Sequence, residues 1–326
     1  MILRFFKTNQ PAAAFAIPLV VLVLWLPGFF HPALSEVADG MPVYHWLLKL
    51  VRPLPDAVIK FLCIVMVSGQ AIFIHRIVVR HEVLFKNSYL PSLMFAVIAS
   101  CLPEFQQFSP VLVVNLIMLV VMNKSFALFK EAFPVSRIFD CGFLVALASL
   151  IYLPAVFFFL LFLIGLLVLR PFHWREWAVA FIGFVLPYFF ISVYFFWADE
   201  LKQFYAWLFT NHINHRLFYE IQFTSTLTLL MAILAGILVL SLFKLRDNFY
   251  KNAIKTRIVE QVIIIYLIIA TLSALLQPVI TLQQFELLAF PLCIFFAYFF
   301  LSVKRWLWMY EALFLLLLVV IFINLL

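Results

Sequence analysis

The chain has 326 residues, 67% of them hydrophobic and 11% charged, with a mean hydropathy of +1.15. Soluble domains run at about 45–50% apolar and about 25% charged, so this composition excludes a water-soluble fold and places the chain in lipid. A net charge of +7 does not point to nucleic acid, because the basic residues stand at the ends of hydrophobic segments rather than in one patch.

A helix that crosses the membrane needs roughly 20 apolar residues to cover about 30 Å of hydrocarbon. Eleven segments qualify as candidates, at about 11–30, 57–78, 88–102, 108–122, 138–153, 155–169, 177–197, 223–243, 261–277, 283–302 and 306–326. The third to sixth are short. Pro103 and Pro154 mark two of their turns, since proline suits the first turn of a helix, where its missing N–H has no partner in any case. With the N-terminus inside, 17 of the 22 Lys and Arg fall on the inner side, as the positive-inside rule requires. The five outer ones are Lys49, Arg52, Lys60, Lys202 and Arg216. The first segment is too long for the core of a signal peptide, and its alanines precede rather than follow the apolar run, so it reads as an uncleaved helix.

The expected fold is therefore an all-α polytopic membrane protein of about 11 transmembrane helices, N-terminus inside and C-terminus outside, in a single domain spanning 1–326. Two outer loops, the first and the fourth, are long. Val43, Trp46, Leu47, Leu50 and Val51 recur at helical spacing in the first, which predicts a helix lying in the interface. The fourth, 198–223, mixes Phe204, Trp207 and Phe209 with Asp199, Glu200 and Lys202 and predicts a second one.

Only seven glycines occur and none cluster, which excludes Gly-rich phosphate cradles. Cys63, Cys101, Cys141 and Cys293 stand singly and read as small core residues, not as a zinc site or a disulfide framework. The acids lie near predicted helix ends, which argues against ion-coupled transport. Gln70, Asn115 and Ser125 give thin support for a polar path.

Glu36 and Asp39, three apart in the first outer loop, share a face in a helical turn. They are candidates for a general base at the outer surface, or else two solvated loop acids. The densest outer polar cluster holds His212, His215, Arg216 and Glu220. Arg216 can pair with a phosphate bidentately while a histidine adds a hydrogen bond; the alternative is ordinary loop polarity. Two histidines and a distant acid are a weak signature for a divalent metal, so no cofactor is expected. His31 and Glu104 join either cluster if the outer loops fold together. On the inside, Arg170 to Glu176 and Lys244 to Glu260 read as anchors for anionic headgroups.

Two resemblances follow. Phe139-Asp140-Cys141-Gly142, Ser149 to Pro154, Arg170 to Glu176 and Gly183 to Tyr188 resemble an uncharacterised family of bacterial multi-pass inner-membrane proteins, which carries no assigned activity. The architecture, with a long acidic first outer loop, interfacial helices, short hairpins and a long loop after helix seven, resembles the GT-C glycosyltransferases. That likeness implies a GT-C-like module of seven helices over 1–222, followed by four further helices over 223–326. It also implies transfer of a sugar from a polyprenyl-phosphate carrier on the outer face, with Glu36 or Asp39 as base and Arg216 with His212 or His215 on the carrier phosphate. No adjacent acidic pair is present, so an inactive relative shares this expectation. A non-catalytic integral subunit with a membrane-protein partner, and a lipid or small-solute transporter, are the alternatives. Membrane lipids are expected partners under each.

Overall fold

A computed structural model describes residues 2–30, 33–34, 41–206, 208, 218–219, 224–249, 252–277, 279–302 and 307–325. Helices dominate. In chain order they are α1 Ile2–Phe6, α2 Pro11–Trp25, α3 Pro42–Val51, α4 Asp56–His81, α5 Leu90–Ile98, α6 Pro110–Phe126, α7 Val135–Ile151, α8 Phe157–Leu169 and α9 Trp174–Trp197. They continue with α10 Leu201–Tyr205, α11 Ser225–Asn248, α12 Ile254–Leu275, α13 Ala289–Leu301 and α14 Leu307–Leu325. Prolines sit in the first turn of α2, α3, α5 and α6, where they lose no hydrogen bond. A two-residue parallel pairing of Phe218–Tyr219 with Val279–Ile280 accompanies them.

Six helices among the described residues are long and apolar enough to cross a membrane: Asp56–His81, Trp174–Trp197, Ser225–Asp247, Ile254–Leu275, Leu282–Leu301 and Trp308–Leu325. The protein is an all-α, multi-pass membrane protein. Pro11–Trp25, Pro110–Phe126 and Leu153–Leu169 are apolar but shorter. Helix α5 is shorter still. Its 9 residues rise about 13 Å, less than half the hydrocarbon thickness, so the segment at 88–102 does not cross as one helix.

The register of α4 against α6 explains this. Gln70 Nε2 donates to Leu112 O at 3.0 Å and His81 pairs with Asn123 at 3.0 Å, so the two helices run parallel. Fourteen residues separate Asp56 from Gln70, which puts the start of α6 about 20 Å along α4. The α5–α6 connection, 99–109, is thus a hairpin tip sunk into the bundle. It includes a 3-10 turn, Pro103–Gln106. Similar turns interrupt the chain at Leu153–Val156 and Leu282–Leu288.

Helices α7 and α9 also run parallel and touch backbone to backbone. A Cβ on Gly142 would stand 2.5 Å from Ala180 O, and one on Gly183 would stand 2.5 Å from Phe139 O, so each glycine admits the other helix. Helix α5 packs on α13 and α8 on α12. All of α5 and nearly all of α13 are buried, as expected of helices that are apolar on every side. Helices α9, α11 and α14 instead expose apolar residues such as Phe189, Phe243 and Phe322.

The loops gather at two ends. At the basic end Thr256 Oγ1 donates to Glu82 O at 2.9 Å, Arg170 Nη1 donates to Leu128 O and Glu131 O, and the Phe85 and Tyr298 rings meet at 5.6 Å. The sequence suggested that Arg170 and Glu176 anchor headgroups. They instead pair with each other at 3.2 Å, largely buried, while Arg170 also donates to the Leu128 and Glu131 carbonyls. The other end holds the hairpin tip.

Candidate functional site at the hairpin tips

Non-helical backbone inside a membrane protein survives only where protein groups satisfy its hydrogen bonds. Here Lys60 and Gln106 do so. Lys60, 2% exposed, sends its ammonium from the first turns of α4 to Gly28 O at 2.6 Å and Gln106 O at 3.1 Å. Gln106 Nε2 donates to Leu24 O and Ser100 O, and Trp25 Nε1 donates to Ser100 Oγ at 2.9 Å. The Gln106 Oε1 lies over the Cα of Gly28, where a Cβ would collide with it. Helix α6 then starts with Ser109, whose hydroxyl accepts from Leu112 N, an N-cap that satisfies one of the orphan donors at a helix start.

Helix α3 covers the tip. The Tyr44 hydroxyl donates to Phe108 O at 3.4 Å and its ring stacks on Phe108. Burial pushes the Tyr44 phenol well above its usual range, so it remains a donor. Trp46 of α3 packs on Tyr194 and Phe195 at the end of α9, and Phe195 stacks on Phe204 of α10. Helices thus occur in both long outer loops, α3 in the first and the five-residue α10 at the start of the fourth, and both lie against this end of the bundle; Trp207 and Phe209 lie outside the described residues.

The turn Leu282–Leu288 closes the side. Gln283 Nε2 donates to Glu104 O at 3.3 Å, and the Ser109 hydroxyl lies beside the Glu286 carboxyl. Glu286 is fully buried and neither carboxyl oxygen has a hydrogen-bond partner. The sequence placed its acids near helix ends, away from the membrane interior. Glu286 keeps to this, as the fifth residue of the span Leu282–Leu301, but it is not solvated there: it stands in the 3-10 turn that leads into α13, enclosed by the tip and α6.

Of the residues singled out from the sequence, Glu104 is part of this site, half-buried with Oε2 shielded and without a partner. His31, Glu36, Asp39, His212, His215, Arg216 and Glu220 lie outside the described residues. The chain beside them is described. Ala33 O accepts from Phe108 N at 2.8 Å and Leu34 bridges Phe108, two positions before Glu36. Phe218–Tyr219, between Arg216 and Glu220, pairs with Val279–Ile280, just ahead of the Glu286 turn. Both long loops are therefore tied to one tip cluster. Lys60, Gln106, Ser109 and Glu286 were not singled out. Their only sequence signal is a polar residue inside an apolar window.

Among the described residues no group of three or more His, Cys, Asp and Glu could hold a metal ion. Fold and site together define a multi-pass helical membrane protein with a buried polar centre at one end. No family model, curated protein or solved structure matches the chain.

Proposed function

We propose that this protein is a GT-C-like glycosyltransferase, or an inactive relative keeping that architecture, working on a polyprenyl-phosphate-linked sugar at the outer face of a bacterial inner membrane. The observation that carries this reading is the tethering of both long polar loops to one end of the bundle, the first on the hairpin tip and the second on the segment that leads into the Leu282–Leu288 turn. One loop is held through Ala33 and Leu34 on Phe108, the other through Phe218–Tyr219 on Val279–Ile280. A transferase must bring a base from one loop and a phosphate-binding group from another to the same lipid-linked substrate. In this reading Glu36 or Asp39 takes the acceptor's proton, and Arg216 with His212 or His215 holds the carrier phosphate. Glu220 belongs to the same substrate-binding cluster, and His31 and Glu104 join it or the acids.

Native mass spectrometry of the protein extracted in mild detergent tests this reading. A co-purifying polyprenyl phosphate that disappears in Arg216→Ala is the expected result. A lipid retained by that variant removes the phosphate assignment. A protein partner at fixed ratio with no such lipid replaces the transferase by an accessory subunit. For an active enzyme, Asp39→Asn or Glu36→Gln abolishes transfer while membrane insertion is unchanged.

A further inference from the structure

Three carboxylates among the described residues are less than a tenth exposed: Glu176, Glu260 and Glu286. Glu176 has Arg170 at 3.2 Å and Glu260 accepts from Asn252 Nδ2 at 2.8 Å. Glu286 has no cation paired with it among the described residues, and neither of its oxygens has a hydrogen bond of regular geometry; the Ser109 hydroxyl is the one donor beside it. A buried acceptor left unsatisfied costs about 1–3 kcal/mol, and more when charged, so this side chain calls for a ligand that folding alone does not supply.

The chemistry around it says which kind. Gln106 Oε1 and Glu104 Oε2, also buried, lack donors as well. The Lys60 ammonium is committed to two carbonyls. The tip is thus short of positive charge and donors, not of acceptors. A divalent ion needs several charged ligands, and no such group of acids exists among the described residues. A single carboxyl beside a hydroxyl and non-helical backbone neutralises one positive charge. Helices broken inside the membrane present this kind of ligand set, and their unwound carbonyls coordinate Na⁺ or accompany a proton. The non-helical backbone here is the α5–α6 tip at 99–109 and the turn Leu282–Leu288 that leads into α13.

We propose that Glu286, with Ser109 beside it, forms a membrane-embedded binding site for a monovalent cation, a proton or Na⁺. The site stands apart from the transferase reading, since it requires no sugar and no lipid carrier. The titratable groups around it are Glu104 and Cys101 of the tip, and Lys60 and Cys63 of α4. From α12 comes Tyr266, whose ring meets Phe290 one turn beyond Glu286, and from α13 comes Cys293.

Thermal unfolding of the purified full chain, followed by tryptophan fluorescence, separates the two cations. In the first titration NaCl replaces choline chloride at constant ionic strength. In the second, pH is varied over about 5 to 8 without Na⁺. For a Na⁺ site, Tm rises with Na⁺ as mass action requires, and the rise vanishes in Glu286→Gln. For a proton site, Tm is indifferent to Na⁺ but depends on pH, and Glu286→Gln removes that dependence. Wild type and Glu286→Gln behaving alike in both titrations overturns the proposal, as does a pH response that Glu104→Gln removes and Glu286→Gln keeps. Infrared difference spectra of the wild type supply a readout that needs no folded variant. A carboxyl stretch that responds to Na⁺ or pH supports the site, and one that responds to neither overturns it.

Discussion

Lys60 shows how one side chain holds a non-helical segment in the membrane. Its ammonium bonds two carbonyls from chain segments 32 and 46 residues away, joining the end of α2 to the α5–α6 tip. Lys60→Met keeps the apolar stem and removes both donors. Each orphaned carbonyl then costs about 1–3 kcal/mol, so Tm in detergent falls by several degrees. An unchanged Tm means that water replaces the ammonium and the tip is not sealed. From the sequence Lys60 reads as one more positive charge near a helix end, where long basic side chains reach for the interface. Glu286 is hidden in the same way: its neighbours at the tip lie far from it in the chain.

At the scale of elements, the starts of helices are legible and the lengths of crossings are not. Prolines at the first turns of α2, α3 and α6 announce those helices, and Pro103 and Pro154 announce the turns that contain them. Apolar content continues past Ile98, where α5 stops, because the tip beyond it is as buried as a helix is. Hydropathy measures burial, and a sunken hairpin is buried too. The glycines offer a test of packing. Gly142→Ala and Gly183→Ala each push a methyl against a backbone carbonyl of the facing helix, and overpacking costs about 1–3 kcal/mol. Gly69 and Gly236 meet nothing within 4 Å, so alanine there is neutral or stabilises by about 0.5–1 kcal/mol through helix propensity. Thermal unfolding of the four variants decides it: equal effects in both pairs mean that α7 and α9 are not in backbone contact.

The whole molecule sorts its polar groups between two ends. Ion pairs at the basic end, Lys124–Asp140, Arg137–Glu131 and Arg170–Glu176, neutralise acids locally. The tip end keeps Glu104 and Glu286 without hydrogen-bond partners on their shielded oxygens. The lysine and arginine bias predicts that the basic end faces the cytoplasm, and then a cysteine at Glu200 reacts with an impermeant maleimide in intact cells. One at His173 reacts only after permeabilisation. Both positions are exposed, and the four native cysteines are buried, so background labelling is low. The opposite pattern reverses the orientation.

The sequence by itself determined the solvent, the helical class and the position of nearly every helix, because apolar content and proline placement act locally and repeat along the chain. It also separated the basic loops from the rest, since that bias is a sum over residues and needs no contact. Only the tertiary structure decided that α5 stops within the bundle, that Lys60 satisfies the tip, and that Glu286 is enclosed beside Ser109 with no cation paired to it among the described residues. Those facts depend on carbonyls, hydroxyls and carboxyls brought together from α2, α4, α6 and the Leu282–Leu288 turn. No local pattern encodes such a meeting.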